Sequence, residues 1–188
     1  MNNKYFLLLL ITVFYTSTSW AQSTNGYGQL TWGATIADAL ALYPNLTRER
    51  TAIADPRNPM TDFSDIGVQA YSERNAVIDI DKRIFFFYNG ELFLVREQYN
   101  TRNINLATIR NRIESVYGPL TEKPAERFRT RGPGGIYVNI TLNGYTFIRN
   151  NLEIEISLVE GSALFIRRPG IVVEYRNPYV YRQVLAAR

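Results

Sequence analysis

The chain has 188 residues, 46% of them hydrophobic and 13% aromatic, enough for one full core or two half-cores packed together and too apolar for a disordered chain. Its formal charge of +4 rests almost wholly on arginine, since only Lys4, Lys82 and Lys123 are lysines, and so mild an imbalance argues against nucleic acid as a partner. The absence of both cysteine and histidine excludes disulfide scaffolds, thiol-linked lipid anchors, Ser-His-Asp and Cys-His nucleophile systems and the usual zinc, copper and haem sites, leaving carboxylate, tyrosine, lysine or serine chemistry, with no cofactor implied.

The first twenty-one residues read as an export signal that is cleaved. Lys4 supplies the positive start, Tyr5 to Tyr15 is an apolar run interrupted only by Thr12, and Ser19-Trp20-Ala21 sets small residues before a cleavage point ahead of Gln22. A membrane span needs about 20 apolar residues, and this core is roughly half that. The mature chain is therefore expected to be periplasmic or secreted, with no stable membrane anchor. Residues 22–29 read as a flexible lead, and residues 30–188 as a single α+β domain or two half-units, 30–103 and 104–188.

Thr35 is a good helix N-cap with Asp38 three residues on, Ile36, Ala39, Leu40 and Tyr43 fall on one stripe, and Pro44 ends the helix. Asn45 to Asp65 lacks a period and reads as a long surface loop, whose aspartates lack the spacing of a calcium loop. Ile66 to Tyr71, Val77 to Asp81 and Arg83 to Tyr88 read as strands. Asn89-Gly90, the strongest hairpin signal in the chain, returns it into Glu91 to Tyr99. Asn105 caps a second helix with Leu106, Ile109, Ile113, Val116 and Tyr117 on its apolar stripe, stopped at Gly118-Pro119, with Arg110, Arg112 and Glu114 facing away.

Thr121 to Gly135 reads as a polar connection. Ile136 to Leu142 alternates, Asn143-Gly144 offers a turn, Tyr145 to Arg149 continues in strand, and Asn150-Asn151 turns the chain into Leu152 to Val159. Leu164 to Arg168, Pro169-Gly170 and Ile171 to Tyr175 form a last hairpin before a short terminal helix from Pro178 to Arg188. The order helix, meander, helix, meander predicts an antiparallel sheet with two main helices packed on one face.

On this order, and on Trp32-Gly33 leading into the capped helix, Tyr117-Gly118-Pro119 closing the second helix and the Asn89-Gly90 hairpin, the chain resembles the exported bacterial domains of the β-lactamase-inhibitor-protein and outer-membrane-assembly-lipoprotein type. The resemblance implies a protein-binding or envelope-assembly module that uses an exposed sheet face. The chain departs from it in having no lipidated cysteine and no cysteine pairs.

Asp79 with Asp81, and Glu153 with Glu155, lie two apart in predicted strands and share a face, where two carboxylates could hold a metal or act as acid and base. The alternation equally describes the solvated face of an amphipathic strand, and that reading is preferred. Arg127, Arg129 and Arg131 alternate towards Gly132-Pro133-Gly134-Gly135, and Arg167-Arg168 stands beside Pro169-Gly170, an arrangement suited to an anion or an acidic partner. Phe85, Phe86 and Phe87 read as core. Tyr175, Tyr179 and Tyr181, flanked by Arg176 and Arg182, form a candidate contact surface. The leading expectation is a non-enzymatic exported binding module contacting another envelope or secreted protein; the alternatives are a binder of an acidic small ligand and a carboxylate-dependent hydrolase.

Overall fold

The computed structural model describes residues 24–50, 63–131, 137–162 and 170–187. The expected signal segment, Arg167, Arg168 and most of the loop between Asn45 and Asp65 lie outside the described residues.

Local signals set the first helix. Thr35 Oγ1 accepts from the Asp38 backbone N–H at 3.2 Å and the Asp38 carboxylate accepts from the Thr35 N–H at 2.8 Å, a complete capping box that starts α1 at Ile36–Leu42. Ahead of it, β1 (Gly26–Tyr27) pairs antiparallel with β2 (Leu30–Thr31). Part of the expected flexible lead is therefore structured, because Tyr27 is buried against the core and edge-on to Phe85 and Tyr175.

After α1 the chain makes a short strand β3 (Thr47–Arg48) and, past a 3-10 turn at Ser64–Ile66, the long strands β4 (Val68–Val77), β5 (Ile80–Tyr88) and β6 (Glu91–Tyr99). Asn89 and Gly90, at φ 52° and 83°, form the expected tight turn between β5 and β6. The expected strand over Val77 to Asp81 is instead a hairpin tip: Ile78 and Asp79 form the turn, Asp79 accepts from Arg112 Nη1 at 2.9 Å, and Asp81 accepts from Asn100 Nδ2 at 3.1 Å. The two aspartates thus bond in different directions and form no pair.

The second helix, α2 (Leu106–Tyr117), starts at Asn105, whose side chain accepts from Thr108 N–H at 2.9 Å, and stops at Gly118 with φ 104°. Ile109, Ile113 and Tyr117 are buried as the stripe requires, but Val116 is exposed, and Arg110 lies over the Tyr145 ring at 4.7 Å rather than facing away.

The second meander is β7 (Thr121–Arg131), β8 (Tyr137–Arg149), β9 (Leu152–Ser162) and β10 (Gly170–Arg176), followed by α3 (Pro178–Ala186). Two expectations change here. The expected polar connection from Thr121 is a strand, and Asn143-Gly144 lies within β8 rather than at a turn. Gly144 is needed for a different reason: a Cβ there would stand 2.0 Å from the Ile156 carbonyl oxygen of the neighbouring strand.

The eight long and short strands of the large sheet run β3-β4-β5-β6-β10-β9-β8-β7, every pairing antiparallel. Each meander follows its own helix, and the two join where β6 meets β10. Side-chain alternation gives the sheet two distinct faces. One carries Phe85, Phe87, Leu92, Val95, Ile154, Ile156, Val173 and Tyr175 and is covered by α1 and α2 through Ala39, Ile109, Ile113 and Tyr117. The other carries Ile84, Phe86 and Leu94 and is covered by α3 and Phe63. The three consecutive phenylalanines are all core because the sheet is sandwiched at this point; burying each contributes about 2 kcal/mol or more. The two main helices share one face as expected, while the terminal helix takes the opposite one.

Gly144→Ala is expected to lower unfolding stability by about 2 kcal/mol or more, read from the urea midpoint, because β8 and β9 must move apart to admit the methyl group.

Candidate functional site

Arginine and glutamate side chains that stand opposite one another along the central strands form two buried clusters. On the face beneath α1 and α2, Glu97 accepts from the Tyr27 hydroxyl, from the Tyr99 hydroxyl at 2.8 Å, and from Arg83 Nε and Nη2 at 3.3 Å each; Arg83 Nη1 also reaches Glu73 at 2.6 Å. The Arg83 guanidinium lies 5.6 Å from the ring centres of both Tyr27 and Tyr43. Burial, then the nearby Glu97 charge, pushes the Tyr27 and Tyr99 hydroxyls well above the ordinary phenol range, so they act as donors at all physiological pH.

On the opposite face, Arg176 holds Glu153 at 2.7 Å and Glu155 at 2.6 Å through Nη2 and Glu174 at 3.2 Å through Nη1. Arg96 clamps Glu174 through Nε at 2.8 Å and Nη2 at 2.6 Å, and Lys123 donates to Glu155 at 2.7 Å. Among the described residues the cluster sets three cations against four carboxylates, since Lys123 also reaches Glu126 at 3.8 Å. It relieves a clash built into the register, where Glu174 and Glu155 stand directly opposite each other on β10 and β9. Burial raises the Glu155 carboxyl, but Arg176 and Lys123 outweigh it and leave it below the usual carboxylate range. Glu153 and Glu155 do share a face, yet Glu155 is buried rather than solvated, and both are committed to arginine.

The expected tyrosine surface divides. Tyr175 is a core residue on the α1 and α2 face, edge-on to Tyr27 at 5.0 Å, because its strand is central rather than terminal. Tyr181 is half-buried on α3 and stacks under the Arg176 guanidinium at 4.5 Å, while Tyr179 on the same helix is exposed. Arg176, expected to flank a contact surface, is itself the buried centre of the ion cluster. The signal for this role was present in the Glu-X-Glu and Glu-X-Arg alternations of β9 and β10, but their pairing is not local.

Arg127 and Arg129 are exposed on β7, one of the two edge strands, and Arg131 ends that strand. The position of their backbone groups follows from the turn at Asn150-Asn151. A two-residue turn makes Arg149 and Leu152 a hydrogen-bonded pair, and the unbroken β8–β9 register then directs the odd residues of β8 at β9 and its even residues at β7. Glu126, Phe128 and Thr130, opposite Leu142, Ile140 and Val138, therefore bond β8. The N–H and C=O groups of Arg127, Arg129 and Arg131 point away from β8, on the side where no further strand pairs among the described residues. Continued through β9 and β10, the same count predicts a bond from residue 177 to residue 93, and Asn177 N–H does donate to the Phe93 carbonyl at 2.8 Å.

These arginines and Tyr179 do not form one patch, since α3 packs on β6 and β10, β9 and β8 lie between β6 and β7. Comparison with protein-family models, curated proteins and solved structures finds no match to this chain.

Because Glu155 titrates below its unfolded value, its stabilising contribution is present above pH of about 4.5 and is lost as pH falls through the lowered folded value. Glu155→Gln should therefore cost about 2 kcal/mol at pH 7, with the gap to the parent protein closing on acidification in parallel denaturant titrations.

Proposed function

We propose that this chain is an exported, non-enzymatic module that binds another envelope or secreted protein through the β7 edge and its arginines. The observation that carries the reading is the alternation of exposed Arg127 and Arg129 along the open edge of the sheet, at the positions whose backbone groups also face outward. Planar guanidinium groups beside backbone donors and acceptors that face away from β8 suit a polypeptide with carboxylates better than a small apolar ligand. The carboxylates that a hydrolase would need at Glu153 and Glu155 are held by Arg176 and Lys123, and the aspartates at 79 and 81 bond apart. Export rests on the amino-terminal sequence.

The acidic-ligand reading has one place in its favour, a cleft of about 420 Å³ lined by Arg48, Arg50, Ser64 and Gly67 beside β3. Glu49 lines it too, and its negative charge, though paired with Lys82 at 2.7 Å, weakens the attraction of the cleft for an anion.

Crosslinking capture from the exported fraction tests the choice. Charge reversal at Arg127 and Arg129 together should reduce recovery of the partner by about tenfold or more, while Tyr179→Ala, on a separate surface, leaves it unchanged. An identical set of captured proteins with the parent and the double variant would refute the β7 surface.

A further inference from the structure

We propose that β7 takes up an extended acidic segment of the partner as an additional antiparallel strand, with carboxylates at every second residue opposite Arg127, Arg129 and Arg131. The inference rests on the binding reading above and specifies its chemistry.

The edges of the sheet differ. At one end β3 is two residues long, too short to template a further strand; at the other β7 runs for eleven residues. The first part of β7 is closed to addition, because Pro124 has no N–H and the register slips between Lys123 and Glu126. From Glu126 to Arg131 the pairing with β8 is regular, and among the described residues β7 bonds to no other strand. Three residues in that stretch, 127, 129 and 131, present outward backbone groups, enough to pair a short extended segment.

The same three residues are arginines. In an antiparallel hydrogen-bonded pair the residues directly opposite have Cα atoms about 5.5 Å apart, so whatever stands across from Arg127 and Arg129 lies beside their side chains. Carboxylates there gain charge-assisted contacts. A second copy of this chain meeting β7 edge to edge would set arginine against arginine, which disfavours self-pairing. Antiparallel addition continues the pattern of every other pairing in the sheet.

The geometry gives a test that leaves the protein unaltered. A capped peptide of about eight residues alternating glutamate with threonine should bind the mature protein saturably, measured by fluorescence anisotropy, and more weakly as salt is raised. Glutamates opposite the arginines point their own N–H groups at β7. N-methylation of the glutamates should therefore abolish binding, while N-methylation of the threonines, whose N–H groups face away, should leave at least part of it. Charge reversal at Arg127 and Arg129 should weaken the unmodified peptide by about tenfold or more, with far-UV circular dichroism checking the fold.

Strand addition is overturned if the peptide fails to bind, if both methylated forms bind alike, or if sedimentation shows the purified protein already paired through β7. Should crosslinked partners still depend on Arg127 and Arg129 in that event, binding through the arginines stands and only the added strand falls. Loss of both dependences overturns the binding reading as well.

Discussion

Arg176 is the point on which the two halves of the molecule depend. It ends β10, the strand inserted between the first meander and the second, and its guanidinium joins Glu153 and Glu155 on β9 to Glu174 on its own strand. Arg96 then carries the chain of contacts from Glu174 to β6. Without these cations the register of β9, β10 and β6 would bring Glu155 and Glu174 together in a buried setting, at a cost of several kcal/mol. A shift of β10 by one residue would move both arginines away from their partners and turn Tyr175 out of the core. The ion cluster therefore works mainly as a register lock, with the hydrophobic faces on either side supplying most of the stability.

The placement of α3 follows from that lock. Asn177 comes directly after Arg176, bonds the Phe93 carbonyl through its N–H, and caps the helix by accepting from the N–H groups of Tyr179 and Val180. Pro178 at the first helical position has no amide to satisfy. The helix is thus aimed back over β6, where Val184 packs with Phe86, Phe93 and Leu94 and Tyr181 shields Arg176 from water. Shielding strengthens each ion pair in the cluster, so the terminal helix and the central register support one another.

What could be read from the sequence was local. The capping box at Thr35, the Asn89-Gly90 and Asn150 turns, the Asn105 cap and the Gly118 stop each depend on a few consecutive residues, and each appears where the residue chemistry requires it. What could not be read depends on neighbours distant in the chain. Alternation puts Glu153 and Glu155 on one face but cannot say that Arg176 and Lys123 come to that face, and so they look solvated. Gly144 looks like a turn glycine because the close approach of Ile156 is set by the β8–β9 pairing. Tyr175 looks like a terminal surface residue because nothing near it in sequence marks β10 as central. The arginines of β7 were visible as an alternating set, while the strand carrying them was hidden by Pro124 and the break in register beside it.

The two ends of the sheet express different solutions to one physical problem. An open strand edge offers unpaired donors and acceptors to any extended chain, and a folded protein must blunt that offer or select who takes it. At β3 the edge is blunted by length. At β7 the amino-terminal part is blunted by Pro124 and the bulge, but the remainder stays regular and carries arginine at each outward-bonding position. Positive charge at those positions has two consequences at once: it opposes association of the edge with its own copy and favours association with a carboxylate-bearing strand. The buried arginines among the described residues are each matched to a glutamate across a strand pair, Arg96 to Glu174 and Arg176 to Glu153. An acidic strand at β7 would extend outward the pairing rule that already holds the centre of the sheet together.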